Sequence, residues 1–500
     1  MVVSKNSMWF VGCGMSLVGF GVLMSATWSL VFHAKIKNMM VLRNGSTSFE
    51  IWRDIPIPIY LECFLFNITN VADILMGKNV PIHVEELGPY VFRERSTKVN
   101  ITWNDNSTVT FRNQRFWYFQ QDLSNGSLSD LITSINPIIA TIAYTVRNEP
   151  LMLKFIIDLS LRMYHQNMFV TANASSWLFD GIQDPILDLV EKIPSLPYTI
   201  PFDRFGWFYK RNGSVDATGL FLAHTGASDF TKLGHTLKWN NSNKTVFRGQ
   251  CGEVQGTTGE LWNLENDAPE IKIYAADLCT YISLAYSGDV IKKGLPGREF
   301  AANDSLFDNG HKYPQTACYC DENSGRDCLP SGALNVSACK YGAPAIVTRP
   351  HFLGMDPYYA NKIKGLQPAP KHNFKMSIEP VTGMPLAISA QLQANALVRH
   401  VTGISINNQL PDPDTLVPMF WFREEIEVND EYANFARSAL SVRYGVPYGL
   451  YVMIALGASL LLSGLYKIRR FPLRQLRECD VAASQKFLSN NISPNVTNST

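Results

Sequence analysis

The sequence predicts a two-span membrane protein with a large α+β ectodomain, and three observations carry that expectation. Two long runs, one near each end of the chain, lack any charged side chain. Between them lie eleven N-x-S/T sequons and a six-cysteine cluster, features of an extracellular or lumenal segment. The same interval alternates short β-branched and aromatic runs with Asn, Asp, Gly and Pro, and one helical stretch interrupts it.

Composition narrows the classes further. Lys plus Arg is 44 and Asp plus Glu is 43 in 500 residues, a net charge of +1. Charged residues are 17% of the chain, against ~25% in a typical soluble protein. A chain 46% apolar with so small a net charge is not a disordered one. It also lacks the basic footprint of a nucleic-acid binder. The mean hydropathy of −0.04 is far too low for a many-span transporter.

The first charge-free run spans Met8–Phe32, 25 residues, and the second spans Val446–Tyr466, 21 residues. At ~1.5 Å per residue the shorter one is about 32 Å long as a helix, enough for the ~30 Å hydrocarbon core. Trp9 and Trp28 bracket the first, and Tyr448, Tyr451 and Tyr466 bracket the second, as interfacial aromatics do. The first run exceeds a signal peptide's apolar stretch and no A-x-A-like site follows it, so an uncleaved anchor is expected. Lys467, Arg469, Arg470, Arg474 and Arg477 follow the second run and place the C-terminal side in the cytoplasm. The organisation expected is a tail at 1–7, spans at 8–32 and 446–466, an ectodomain at 33–445 and a second cytoplasmic tail at 467–500. Cys13 and Cys479 lie near the cytoplasmic face, where palmitoylation is chemically open to them.

The ectodomain sequons are Asn44, Asn67, Asn100, Asn106, Asn125, Asn173, Asn212, Asn240, Asn243, Asn303 and Asn335. Asn106 sits in the turn of VNITW–NDNS–TVTFR, and Asn240 and Asn243 in that of LKW–NNSNK–TVFR, both of which look like hairpins. Cys251, Cys279, Cys318, Cys320, Cys328 and Cys339 fall within 251–339. Their spacing lacks paired zinc knuckles, so three disulfides are expected, with fifteen pairings open. Cys63 is left over as a buried thiol.

Residues 45–125 are strand-rich, whereas 129–192 are helical. Glu149-Pro150 looks like a helix start. Lys154, Asp158 and Arg162 then recur every fourth residue in an otherwise apolar stretch running to His165. The simpler expectation is a bundle helix with one solvated polar face. The sharper one is that its apolar remainder docks a partner. A further helix should begin at Asp184-Pro185 and end before Pro194. Strands and loops resume after residue 200.

No reaction is suggested. There is no G-x-S-x-G elbow, H-E-x-x-H helix, P-loop or G-x-G-x-x-G. Glu85-Glu86 and Glu424-Glu425 are adjacent, so on strands they point to opposite faces and make poor acid/base pairs. His224 and His235 read as structural. Neither an enzyme activity, a cofactor nor a metal is expected.

FEIWRDIPIPIYLECFLFNITN, EELGPYVFRE, LFDGIQDPIL, the C-Y-C-x7-C-x10-C cluster followed by RPHFL, IEPVTGMPL and PMFWF together resemble the class B scavenger receptors. The resemblance runs from about residue 48 to 422. It implies an antiparallel β-barrel-like body with an apolar tunnel towards the membrane, and a membrane-distal helical bundle at 129–192. It also implies the pairings Cys251–Cys318, Cys279–Cys339 and Cys320–Cys328. The function implied is capture of lipid-bearing, lipoprotein-like or particulate ligands at the apex, with passage of lipid to the bilayer. Partners would be fatty acids, sterols, carotenoids or phospholipids, and lipid carriers or microbial or apoptotic particles.

One departure bears on ligands. Residues 129–192 carry four basic side chains against seven acidic ones, a net −3, where capture of anionic lipoproteins would call for a cationic apex. Lys154, Arg162 and His165 are the candidate ligand-binding residues there. His165 precedes Met168-Phe169 and belongs to the side-chain type that titrates between pH 5 and 8, so acidic ligands would bind more strongly at low pH. The alternatives are an adhesion or phagocytic receptor without lipid transfer, and a two-span ligand-gated channel. Against the channel, Ala455, Ser459 and Ser463, four apart, suit helix packing, and they permit a homo-oligomer. The tail has no acidic-dileucine ending, which favours the plasma membrane over an endosomal or lysosomal one.

Overall fold

The computed structural model describes residues 5–187, 202–263, 268–320, 328–410 and 414–490. They form two compact units, one built from the chain's ends and the other from residues 39–433.

The first unit is a pair of long helices, α1 (Lys5–Met40) and α6 (Asp430–Asn490). Both contain an apolar segment long enough to cross a bilayer. Both also run past the charge-free runs, because backbone hydrogen bonding does not stop where apolarity does. Apolar side chains such as Phe20, Leu23, Leu30, Leu456 and Leu462 face outward, as a lipid solvent requires. The seam is made by glycines seven apart. A Cβ at Gly14 would lie 2.7 Å from the Gly457 carbonyl oxygen, and one at Gly464 would lie 2.7 Å from Val11 Cγ2. Ala455, Ser459 and Ser463 are not in this seam; they are exposed or nearly so. The small-residue rule held for helix packing but on a different stripe.

The second unit is a ring of antiparallel strands. They are β1 (Ile59–Ile68), β2 (Ile82–Asn104), β3 (Thr108–Phe119), β4 (Leu220–His224), β5 (Thr236–Trp239) and β6 (Glu270–Ala275). After these come β7 (Thr280–Lys292), β8 (Leu295–Ala301), β9 (Lys375–Ile378), β10 (Pro385–Arg399) and β11 (Asp414–Glu427). Each pairs with the next in chain order, except that β5 and β6 do not pair directly, and β11 returns to β1. Thr257 fills the gap between β5 and β6. It bridges His235 on one side and Ile273 on the other, and Thr236 N–H donates to the Gly256 carbonyl at 2.8 Å. The result is nearly a barrel, which leaves few unpaired strand edges.

Alternation along β2 identifies the inside. Phe92, Glu94, Ser96 and Lys98 are buried whereas Arg93 and Arg95 are exposed. One end of the barrel is filled by α2 (Thr47–Arg53), whose Ser46 cap accepts from Phe49 N–H. Its Phe49 and Trp52 pack with Val109, Phe111 and Phe221. A single turn, α3 (Val71–Leu75), precedes β2.

The hairpin expected at VNITW–NDNS–TVTFR is the β2–β3 turn, with Asn104 opposite Thr108. The one expected at LKW–NNSNK–TVFR does not form. β5 pairs with β4 instead, and the chain after Trp239 makes only isolated bridges from Ser242 and Lys244. Disulfides Cys251–Cys318, Cys279–Cys339 and Cys320–Cys328 tie these irregular segments together. Cys63 is free and fully buried.

Candidate functional site

Two regions depart from an ordinary core. The first is helical. α4 (Pro137–Val146) starts at Asn136, whose side chain accepts from Ile138 and Ile139 N–H, and it buries Ile138, Ile139, Ala140 and Ala143. α5 (Leu151–Met163) follows and is inverted relative to the solvated-face expectation. Lys154 and Asp158 are buried, while Leu151, Met152, Phe155, Ile156, Leu159 and Met163 are all more than half exposed.

The inversion has a polar cause. Lys154 Nζ donates to the Arg147 carbonyl at 2.7 Å. Asp158 Oδ1 accepts from Ser405 N–H at 2.7 Å and Ser405 Oγ at 2.8 Å, and Oδ2 accepts from Arg162 Nε at 2.9 Å. Ser405 and the Arg147 carbonyl, both on half-buried residues, take their partners from the polar stripe, so that stripe turns inward and the apolar stripe is left outside. Of the candidate ligand residues, Lys154 is therefore withdrawn from any surface role. Arg162 keeps 61% of its side chain exposed beside Asp158, and His165 is exposed where the chain leaves the helix at φ 50°. The helix expected from Asp184-Pro185 begins at Pro185, capped by Asp184 Oδ1 accepting from Ile186 N–H at 2.9 Å. The rest of that segment lies outside the described residues.

The second region is the barrel interior. Register puts Phe119, Phe92, Leu61, Glu424 and Ala390 in one row across β3, β2, β1, β11 and β10, all on the inner face. On β10, Ile388, Ala390 and Leu392 share that face yet remain partly accessible, whereas Gln391 and Gln393 on the outer side are buried under other segments. Aromatic rings line the neighbourhood: Trp117 packs with Phe179 and Phe208, and Trp207 stacks on Phe420 at 5.2 Å.

Charged groups are set among these apolar walls. Lys98 Nζ is 2.7 Å from Glu260 Oε1 and 5.1 Å from the Trp52 ring centre. Trp117 Nε1 donates to Glu94 Oε2 at 2.7 Å, and Arg115 Nε lies 3.4 Å from Glu94 Oε1. Arg211 and Lys340 flank Asp277 at 2.9 and 3.4 Å. Burial alone would raise the Asp277 carboxyl, but Arg211 and Lys340 outweigh it and hold it well below the usual range. Glu424 goes the other way: burial, then Glu94, push it up to about 7 against the pull of Arg115. Arg115 keeps 32% of its side chain accessible, and Asp277 is exposed with 51%.

Sequence reasoning missed this cluster. The signal was present in β2 and β3, where Glu94, Lys98 and Arg115 occupy the same phase as Phe92, Phe111 and Trp117. A strand half-buried in a solid core would not carry charge on that phase. Glu424 and Glu425 do face opposite ways: Glu425 is exposed on the outer wall beside Arg423.

Sequon placement varies. Asn44, Asn100, Asn106, Asn125, Asn212, Asn240, Asn243 and Asn303 are exposed, and Asn67 and Asn173 are half-buried. Asn335 is a correction, since it is 6% exposed in a short strand and its Oδ1 accepts from Ser337 N–H. Its Nδ2 has no room for a glycan in the folded protein.

An apolar helix at each end of the chain and, between them in sequence, a cystine-stapled, nearly closed antiparallel sheet define a two-span membrane protein with a large ectodomain. The family model of the CD36 family matches residues 11–468, and the chain belongs to that family. It is 33% identical to Protein peste of Drosophila melanogaster over 84% of this chain and 75% of that protein. It is 32% identical to Scavenger receptor class B member 1 of Bos taurus, covering 92% and 88%. Lysosome membrane protein 2 of Homo sapiens is 29% identical, covering 87% and 89%.

Proposed function

We propose that this protein is a scavenger-type receptor that captures lipid-bearing ligands on the outward apolar face of α5 and passes lipid through the barrel interior to the bilayer. The observation that carries the reading is the inner wall. Its Ile388, Ala390, Leu392 and Phe422 stay partly accessible inside a ring of strands, which supports an apolar path there rather than a solid core. Burying lipid surface along such a path is favourable by ~25 cal/mol per Å², and movement down a gradient then needs neither ATP nor a chemical step.

Capture is favoured by the six exposed apolar side chains of α5, a larger contiguous patch than scattered surface residues make. Lipids such as fatty acids, sterols, carotenoids or phospholipids, and their carriers, fit that surface. The basic residues 467–477 favour cytoplasmic termini and the eight exposed sequons favour an extracellular body. The plasma membrane is the favoured location; a relative's name, lysosome membrane protein, keeps the lysosome as the second. No role as an enzyme is proposed.

The test is delivery of isotope-labelled lipid into cells by the full chain carrying Ala390→Trp, whose indole would project into the interior. Uptake should fall several-fold while surface level is unchanged. Equal delivery would leave an adhesion receptor without lipid transfer as the better account.

A further inference from the structure

Resting on that reading, the interior charges point to something more specific than an apolar path. Arg115 offers five N–H donors in a rigid fork. Among the described residues its side chain makes no hydrogen bond. Its one close partner is Glu94, at 3.4 Å, and its Nε is buried without an acceptor. Half-buried Glu424 faces the same interior, and among the described residues its carboxyl has no hydrogen-bond partner. Asn113 Oδ1, opposite Lys98 on the inner face, is likewise unsatisfied. Buried polar groups left open in this way are rare in native proteins, and each calls for an explanation.

The remaining groups around them are already committed. Lys98 is held by Glu260, Trp117 donates to Glu94, and Asp277 is shared by Arg211 and Lys340. The charged groups facing Glu424 are Glu94 and Lys98 from β2, Arg115 from β3, Glu260, and the Asp277, Arg211 and Lys340 group. Among these described residues, four acids and four bases balance when Glu424 is ionised. When Glu424 holds a proton the cluster carries one net positive charge, and the vacant partner is the Arg115 guanidinium. Phe119, Ile388, Ala390 and Leu392 share that inner face, stay partly accessible and can take a hydrocarbon chain.

We propose that Arg115 and Glu424 form a headgroup site inside the barrel for a lipid-like amphiphile carrying a single negative charge. The Arg115 fork takes the anion, and the proton on Glu424 both removes the competing charge and leaves an O–H to donate. Because burial and Glu94 push the Glu424 carboxyl up to about 7, occupancy rises as pH falls through neutrality. A neutral amphiphile passes the same point without being held.

The experiment uses the full chain in phosphatidylcholine nanodiscs, with empty nanodiscs as blanks and three radiolabelled probes: oleate, hexadecyl sulfate and oleyl alcohol. At pH 6 both anions should bind at least about tenfold more tightly than the alcohol, the margin a charge-assisted bidentate contact supplies. R115Q should abolish that margin, and a far-UV circular dichroism spectrum matching the wild type reports that the variant is folded. Hexadecyl sulfate does not titrate between pH 6 and 8, so its affinity isolates the protein's proton. It should fall about tenfold across that range in the wild type and stay flat in Glu424→Gln. Binding of oleate but not the sulfate would mean carboxylate recognition rather than a monoanion site and would overturn the class proposed. Equal binding of anions and alcohol, a margin that survives R115Q, or a pH response that survives Glu424→Gln would overturn the site while leaving the lipid path standing. If none of the three probes binds, the lipid path itself fails.

Discussion

Replacing Asp158 with alanine should release α5 from the body without unfolding the rest. The carboxylate accepts two hydrogen bonds from Ser405, at 2.7 and 2.8 Å, and it pairs with Arg162 across one helical turn. A net hydrogen bond to a charged group contributes ~1.5–3 kcal/mol, and the half-exposed Arg162 pair contributes under ~1 kcal/mol. Ser405 lies near the surface, where water can take over part of the loss, so the lower end applies and about 3 kcal/mol is expected. That corresponds to amide exchange about 100-fold faster over residues 151–163, with β1 and β2 unchanged as the internal reference. Hydrogen-exchange mass spectrometry on the full chain reads it directly. Arg162→Ala should accelerate the same amides less than about fivefold. If Asp158→Ala leaves exchange within threefold of wild type, or slows it because the helix rolls over and buries its apolar face, then Asp158 is not what holds α5 with that face outward.

Three further outcomes follow from the same structure. Glu424→Gln should raise stability at pH 8 by about 3 kcal/mol, from a shift of 4.5 to about 7 at ~1.4 kcal/mol per unit. The folded protein keeps this proton up to about pH 7 whereas the unfolded chain loses it near ~4.3, so wild-type stability declines as pH rises through that window and the variant's does not. A Tm difference that is the same at pH 4.5 and pH 8 would contradict this. Glycopeptide mass spectrometry of the folded protein should find Asn106, Asn240 and Asn243 occupied and Asn335 bare; a glycan on Asn335 would show that its strand is wrongly placed. Cys279→Ser with Cys339→Ser removes a link across 60 residues, about 4 kcal/mol of loop closure, and should sharply reduce the folded fraction at the cell surface. Surface levels unaffected by the double replacement would show that the link is dispensable.

The spans, the helical stretch and the β2–β3 hairpin were legible because each is a local pattern: an uncharged run, a period near four, a polar turn between alternating strands. What periodicity could not supply was the direction in which a pattern faces. Lys154, Asp158 and Arg162 define a stripe on α5, and the stripe is real, but Ser405 and the Arg147 carbonyl decide that it points inward. Ser405 lies 247 residues away in the chain. The same limit applies to Glu94, Arg115 and Glu424. Each is unremarkable in its own strand, and only the register of four strands brings them to one interior. The LKW–TVFR hairpin failed for the opposite reason: its local signal was good, and pairing with β4 displaced it.

The order of strands around the barrel also has a consequence in time. Every ladder from β1 to β5 and from β6 to β11 joins neighbours in the chain and can form as the polypeptide emerges. The closing ladder joins β11 to β1, clasped by Arg423 Nε donating to Glu62 Oε2 at 2.8 Å across 361 residues. Until residue 423 has been made, β1 has an open edge beside Phe64 and Leu65, and such edges invite pairing with the wrong chain. The three disulfides all fall between residues 251 and 339, so they can set before the ring closes. Maturation of this chain therefore has its most exposed step at the end, and a substitution in β11 should be felt first as a failure to leave the compartment of synthesis.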